Sequence, residues 1–475
     1  MGLWGEKSSM KVRPVAGLLL TLFFLIVVFT GTIKLLTIFP GKGATSIFVS
    51  VIVVAAALLA FLRKISLDGF LAILLVSTAF FMTQLISALS ITYLARYLLI
   101  FAAATVCYVV ALGWSLQFGY RSFMFPALLT FLIIALSELW QYVFPDDYHS
   151  FAQVLLTDDA FRENFNWYLA GKISGLAGLP GVAFLCLMLL GSVLMASLIQ
   201  KNGNRVGYPV VGWVLFCLLA AGAWLSGSRA ALISFCVWCI FGFYAIFFGR
   251  RTSRFSKALF TLTLFVVVPV AVYQLFLIFQ EQSRWLTIYS RFDYWKTALE
   301  LFARYPLTGI GVNNYLYYAE SVGGISIFSE ITYVHNIWLQ VLAETGFVGT
   351  VVFLIGVLLC ARNNFLCVKI AHRYREYNLL FLVGATCAFG IYTLTSNPFY
   401  DRQPLMLFLA LQGIVNGQLA RIGVWKVYSF GKAAQRGIYP HTQLERLAGY
   451  NRVPGVGSAV DLSQLPYRGH RQRLY

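Results

Sequence analysis

Apolar runs of about 20 residues recur from Val15 to Ala420, and no other feature of the 475-residue chain constrains its fold so tightly. A run of that length spans the hydrocarbon of a bilayer as a helix, because only a helix or a closed barrel satisfies every backbone hydrogen bond where no water is present. Hydrophobic residues make up 59% of the chain and charged residues 11%, which places it among polytopic membrane proteins of the all-α class. Twelve spans are expected, at Val15–Ile33, Ala44–Leu62, Leu67–Leu89, Tyr93–Trp114, Ser122–Val143, Leu176–Ile199, Pro209–Ser226, Arg229–Phe248, Ser256–Phe279, Ile337–Ala361, Asn378–Ser396 and Gln403–Ala420. The first lacks a short apolar core followed by a small-residue cleavage site and reads as a retained span rather than a removed signal peptide.

Lysine and arginine set the expected orientation. With the N-terminus in the cytoplasm, most of the 36 basic residues fall in cytoplasmic segments, including Arg250, Arg251, Arg254 and Lys257 in one loop. Acidic residues such as Asp146, Asp147, Asp158, Asp159, Glu163 and Glu330 fall mostly on the other side. The net charge of +18 is therefore largely topological, and scattered loop charges of this kind argue against nucleic-acid binding. Residues 1–420 form the expected membrane domain. The tail 421–475 carries nine basic and two acidic residues and is expected in the cytoplasm, either as a topological anchor or as a contact with anionic lipid or other proteins.

Two outer loops interrupt the short connections, Phe144–Gly175 and the 55-residue Gln280–Val334. In the second, the segment Arg291–Arg304 places Phe292, Trp295, Leu299 and Phe302 on one stripe, the pattern of an amphipathic helix on or near the bilayer, ended by Pro306. None of the eight cysteines lies in these loops, so no disulfide is expected there. Cys236 and Cys239 have C-x-x-C spacing, but they stand in an apolar helix without histidine or a second pair, too little for a zinc or redox site.

The candidate chemistry lies where outer loops become spans. His335 directly precedes the tenth span, and imidazole is the side chain that takes and returns protons near neutral pH. Arg229 opens the eighth span after Ser226-Gly227-Ser228, where it serves either as an anion ligand or as a snorkelling helix start. Arg291 opens the amphipathic segment, with Asp293 as an alternative partner. Glu344 lies below His335 on the same helix, to pair an arginine or satisfy a buried contact. Lys172, Arg284, Arg304 and Arg402 are further outward cations. Singly each reads as a solvated charge, but together they suggest a cationic pocket suited to a diphosphate, whose oxygens match arginine forks.

Taken in order, these segments resemble the O-antigen ligase and polymerase superfamily of bacterial envelope enzymes. The matching pieces are Leu225-Ser226-Gly227-Ser228-Arg229, then Arg291-Phe292-Asp293-Tyr294-Trp295-Lys296, then Tyr305-Pro306-Leu307-Thr308-Gly309-Ile310-Gly311. Last come His335-Asn336-Ile337-Trp338-Leu339-Gln340 and Glu344-Thr345-Gly346. Lys172 through Gly181 resembles the family's upstream segment, with lysine where arginine is commoner and Gly181 where asparagine is usual. The motif region covers residues 166–350.

The resemblance implies a fold like that of the membrane glycosyltransferases of the GT-C type, with a cavity open to the periplasm and the protein in the bacterial inner membrane, both termini cytoplasmic. It implies an undecaprenyl diphosphate-linked glycan as donor and, as acceptor, a sugar hydroxyl on lipid A core or on another lipid-linked glycan. The expected roles are general base for His335, diphosphate binding for Arg229 and Arg291, and substrate binding for Asn336, Glu344, Lys172, Arg304 and Arg402. No cofactor and no metal are expected, and one displacement would invert the anomeric centre. A ligase is favoured over a polymerase of O-antigen or exopolysaccharide. A lipid-linked glycan transporter is the competing class, but it would set its essential charges near the midplane rather than at one face. A structural scaffold would leave the ordered motifs as coincidence.

Overall fold

The computed structural model describes residues 14–29, 32–34, 44–62, 65–86, 88–201, 207–248, 257–258, 261–262, 265, 273, 283–321, 333–374, 376–424 and 428–430. Nearly all of them are helical. The helices are α1 (Pro14–Phe29), α2 (Ala44–Phe61), α3 (Gly69–Thr83), α4 (Ile91–Phe118), α5 (Met124–Val143), α6 (Pro145–Leu155), α7 (Asp158–Leu169), α8 (Pro180–Lys201), α9 (Gly207–Leu225), α10 (Arg229–Phe248), α11 (Ser283–Arg304), α12 (Asn314–Ser321), α13 (Ile337–Tyr374), α14 (Leu380–Tyr392) and α15 (Arg402–Arg421). One antiparallel strand pair accompanies them, β1 (Ile65–Leu67) with β2 (Tyr428–Phe430), Ser66 facing Ser429.

Among the described residues, six helices are long and apolar enough to cross a membrane: α3 with its 3-10 extension, α4, α5, α8, α10 and α13. Four shorter apolar helices, α1, α2, α9 and α14, accompany them, and the chain is a polytopic membrane protein. The expected ninth span, Ser256–Phe279, lies almost entirely outside the described residues, as does the tail.

α15, expected as the last span, differs in kind from the others. All but its end residues are buried, including Gln412, Asn416 and Gln418. A helix covered on every side needs polar partners from its neighbours rather than a lipid-facing surface. Asn416 Nδ2 donates to Tyr108 Oη at 2.7 Å and to Asp68 Oδ2 at 3.2 Å, and Asn363 Nδ2 donates to Asn416 Oδ1 at 2.7 Å. Tyr108 also donates to Asp68. Close approach to α4 depends on glycine: a Cβ at Gly413 would lie 2.5 Å from the Tyr108 carbonyl oxygen.

α13 is 38 residues long, well beyond the expected end at Ala361, because Arg362–Tyr374 contains no proline or glycine to stop it. It is also broken at Gly346, with φ 61° and ψ −162°. The break is filled by the connection after α11. Phe347 N donates to Pro306 O (2.8 Å) and Val348 N to Leu307 O (3.2 Å), while Ile310 N donates to Ala343 O (3.2 Å) and Gly311 N to Glu344 O (2.9 Å). The loop thereby satisfies the backbone groups that the kink releases, which an apolar surrounding requires. A Cβ at Gly309 or Gly346 would collide with the opposing backbone.

The first outer loop is folded as α6 and α7. Pro145 in the first turn of α6, Asp146 and Asp147 beside it, and Asp158 and Asp159 opening α7 are helix-start signals. Residues 172–176 are then held from two helices. Gln141 Oε1 accepts from Ser174 N (3.2 Å) and Gly175 N (2.9 Å), Ser137 Oγ accepts from Leu176 N (3.0 Å), and Asn164 Nδ2 donates to Gly175 O (2.7 Å).

Candidate active site

The C-terminal end of α14 is where the starts of α8, α10, α13 and α15 meet. Ile337 N, opening α13, donates to Thr393 O at 3.1 Å. The Tyr392 hydroxyl is in hydrogen-bond reach of Ser228, which precedes α10, and its electrostatic neighbours include Arg291 and Asp401. A Cβ at Gly181, opening α8, would strike that hydroxyl, so glycine here makes room for Tyr392. Helix starts carry unpaired N–H groups and partial positive charge, which favours an anion at their meeting point.

Arg229 reaches this point from the Ser226-Gly227-Ser228 turn. Gly227 takes φ 58°, and the Ser228 hydroxyl accepts from Ala231 N at 3.4 Å as a helix cap. Lys172 lies against the same turn, since a Cβ on Gly227 would sit 3.1 Å from Lys172 Cγ. Its ammonium stands 4.5 Å from the Trp167 ring centroid, a cation–π contact that fixes the long side chain.

Arg291 comes from α11, whose buried face differs from the expected stripe. Tyr294, Ala298 and Leu301 are buried, whereas Phe292 and Leu299 are exposed. The face is turned by about one residue because Trp295 is drawn toward the His335 loop, its indole N–H donating to Val334 O at 3.1 Å. Arg291 is therefore half-buried rather than a solvated helix end. Burial first, and the Arg229 charge second, press its pKa down; an arginine still stays protonated, so two like charges face each other in a partly dry site.

His335 is held in the left-handed region at φ 55°, an uncommon conformation for a side chain of its size. Its neighbours enforce it. Val334 N donates to Gln340 Oε1 at 3.2 Å, Asn397 donates to the same oxygen, and Asn336 Oδ1 accepts from Trp338 N (3.0 Å) and Leu339 N (3.2 Å). The ring lies 6.3 Å from that of Tyr294. Burial, with Arg291 adding its charge, lowers the His335 pKa to about 4, which leaves the imidazole neutral and able to accept a proton at pH 7.

The remaining expected residues divide. Asn336 is the N-cap of α13, and its carbonyl oxygen is occupied by the helix. Glu344 is fully buried and receives four donors of its own chain: Asn313 N (2.7 Å), Tyr315 N (2.9 Å), Gln340 Nε2 (3.1 Å) and the Tyr400 hydroxyl. It clamps the loop before α12 and the segment before α15 onto α13, so its oxygens are turned away from a ligand. Arg304 is exposed at the far end of α11, about 20 Å along the helix from Arg291, and is not brought to the site. The side chain of Arg284 lies outside the described residues. Arg402 does approach, but among acids: its charge is felt by Glu163 and by Asp401.

Asp401 was not expected. It occupies the N-cap position of α15 without a side-chain cap bond. Its charge reaches Tyr333, two residues before His335, and Tyr392. Burial, reinforced by Glu163 and opposed by Arg402, raises its carboxyl to about 7. The sequence signal, Asp-Arg at the start of an apolar run, is too short to stand out. Glu163 lies 238 residues earlier, so only the fold brings it near Asp401.

Against this geometry stand two findings from comparison with known proteins. Residues 213–354, which carry Arg229, Arg291, His335 and Glu344, match the family model described as O-antigen ligase. No curated protein matches the chain.

Proposed function

From an O-antigen ligase domain at residues 213–354, we propose that the protein is a glycosyltransferase of the bacterial inner membrane that moves a glycan from undecaprenyl diphosphate to a sugar hydroxyl at the periplasmic face. The observation that carries this reading is the convergence of Arg291 with both Arg229 and His335 from three separate elements. Two facing guanidinium groups suit a ligand of matching negative charge, and a neutral imidazole beside Arg291 suits a proton acceptor.

In the reaction, the acceptor hydroxyl oxygen attacks the anomeric carbon of the donor sugar. His335 takes the hydroxyl proton as the new C–O bond forms. The bond from the anomeric carbon to the diphosphate oxygen breaks, and undecaprenyl diphosphate leaves with the electron pair. Arg229 and Arg291, with Lys172 at the rim, stabilise the charge that grows on the departing oxygens. Their mutual repulsion is relieved as that charge develops, which is differential stabilisation of the transition state. Asn336 and Glu344 act as positioning residues, holding the His335 loop and the kinked α13. A single displacement inverts the anomeric centre. With two guanidinium groups on the diphosphate the reaction needs no divalent metal, so a chelator leaves the rate unchanged.

The acceptor is lipid A core in the ligase reading that we favour, and a second lipid-linked glycan in the polymerase reading. Deletion of the gene, read by a surface-polysaccharide gel, separates them. Bare core with accumulating lipid-linked polymer marks a ligase, and core carrying one repeat unit marks a polymerase. Unchanged surface polysaccharide contradicts both.

A further inference from the structure

A second polar cluster lies far from the reacting groups. Asn363 stands roughly 40 Å along α13 from Ile337, so it is well removed from His335. Four side chains from four elements are linked there. Asn363 Nδ2 donates to Asn416 Oδ1 of α15 at 2.7 Å, and Asn416 Nδ2 donates to Tyr108 Oη of α4 (2.7 Å) and to Asp68 Oδ2 at the start of α3 (3.2 Å). Tyr108 donates to the same Asp68 oxygen, and Asp68 Oδ1 accepts from Leu71 N at 2.9 Å. None of the four is more than 4% exposed. A carboxylate and three polar groups so far from water are costly unless charge and lone pairs are both met.

The hydrogens of the cluster run out before its oxygens do. Tyr108 uses its only hydrogen, and Asn416 both of its amide hydrogens, on members of the cluster. Asn363 Oδ1, on a residue 1% exposed, has no donor among the described residues. The Nδ2 of the same amide is bound to Asn416, so this oxygen is fixed beside the Asn416 amide and aimed into the cluster. Neighbouring amides repeat the pattern. Asn364 turns its Nδ2 back to Cys360 O (2.8 Å), and Gln412, one turn before Asn416 on α15, gives its Nε2 to Thr386 Oγ1 (3.0 Å); the oxygens of both lack donors among the described residues.

Surplus oxygens around a carboxylate call for a cation rather than for water, which brings hydrogens but no charge. Oxygen ligands select a hard ion, and among the described residues no group of three His, Cys, Asp or Glu could hold a transition metal. A single carboxylate balances one positive charge, whereas a divalent ion would leave charge uncompensated in the core. The space is also small. α15 packs on α4 through Gly413 and Gly417, on either side of Asn416, where a Cβ would lie 2.5 Å from Tyr108 O and 2.7 Å from Ser115 Cβ.

We propose that this cluster binds one sodium ion, held by the amide oxygens of Asn363 and Asn416 against the Asp68 carboxylate. The ion ties α13, which begins after His335, to α15, which begins after Asp401, and so fastens together two helices that present the active site. Sodium binding stands whether or not the protein transfers glycan.

The test uses the full chain, purified in choline chloride and placed in lipid nanodiscs, with radioactive sodium as the probe in equilibrium dialysis. Saturable binding of one ion per chain is expected, displaced by unlabelled Na⁺ and by K⁺ only at about tenfold higher concentration or more. Asp68→Asn and Asn363→Leu should each weaken binding about tenfold or more. Asp147→Asn, at an exposed acid of α6, leaves it unchanged. The thermal midpoint of the wild type should climb as NaCl replaces choline chloride at constant ionic strength, as it must when a ligand binds only the folded state. Absence of saturable binding to the wild type, a midpoint indifferent to the cation supplied, or binding that survives both Asp68→Asn and Asn363→Leu overturns the proposal. The two wild-type measurements decide it even where a variant fails to fold.

Discussion

At the scale of single residues, the proposed reaction puts the acceptor proton on His335 and sets the Arg291 charge against the departing diphosphate. Because burial and Arg291 lower the His335 pKa to about 4, the neutral, reactive form already predominates well below neutrality. Measured kcat/KM should rise through about pH 4 and be flat above it as far as this group is concerned. Removing the Arg291 charge takes away one of the two causes, so in Arg291→Ala the acid limb moves up toward the ordinary histidine value near 6.5. A limb that stays in place would show that Arg291 does not face the imidazole. The same variant should lose about 10²–10³ in kcat, the usual cost of a preorganised group that stabilises developing charge. Arg291→Lys should recover only part of this, since an ammonium lacks the planar fork. Asp401 offers a second titration. Its carboxyl, raised to about 7, would impose a further limb near neutrality if its ionised form is needed, and Asp401→Asn should abolish that limb while leaving the lower one.

At the scale of elements, the break in α13 is what gives the site its shape. Gly346 takes a backbone conformation open essentially to glycine alone, and the loop carrying Gly309 fills the gap. Gly346→Ala should therefore destabilise the protein by about 1–3 kcal/mol from backbone strain, with the collision against Leu307 added. Glu344→Gln keeps the size of the side chain but replaces one accepting oxygen with a donor facing other donors. It should cost about 1–3 kcal/mol and lower kcat through a misplaced loop, with thermal unfolding and activity falling together. Wild-type stability in that variant would return Glu344 to the role of a substrate ligand. Here too lies the division between what could be read from the chain and what could not. The segments around Arg229, Arg291, Tyr305–Gly311, His335 and Glu344 stand out because each is local and their order is distinctive. Their contacts are not local: the Gly309 loop meets Glu344 across 35 residues, and Asn164 holds the segment behind Lys172. Asn336 stands just before an apolar run, the ordinary N-cap signal, and its side chain caps α13. α6 and α7 lie in a segment whose overall polarity reads as loop, and only Pro145 and the acidic pairs Asp146-Asp147 and Asp158-Asp159 mark the helix starts.

At the scale of the whole molecule, the apolar periodicity conveyed the architecture because the bilayer imposes it. One element shows what composition alone does not carry. α15 reads as an ordinary apolar span, yet it is buried on every side, with Asn416 paired to Tyr108 of α4 and Asn363 of α13 and Gln412 donating to Thr386 of α14, a property set by neighbours rather than by its own composition. The orientation we propose rests on the basic loops and can be checked directly. A cysteine at Asp158 should react with a membrane-impermeant thiol reagent in intact spheroplasts, and one at Arg362 only after permeabilisation. The reverse pattern would put the cationic site in the cytoplasm and exclude a periplasmic reaction.

The most direct measurement is glycan transfer by the purified full chain in proteoliposomes, supplied with undecaprenyl diphosphate-linked glycan and a lipid A core or lipid-linked acceptor. Wild-type protein is expected to form the glycosidic product with inverted anomeric configuration and with chelator present. His335→Ala should be slower by about 10²–10⁴, the range for loss of a general base, while retaining donor binding. Undiminished transfer by His335→Ala, or a product with retained configuration, would contradict the single-displacement account centred on His335.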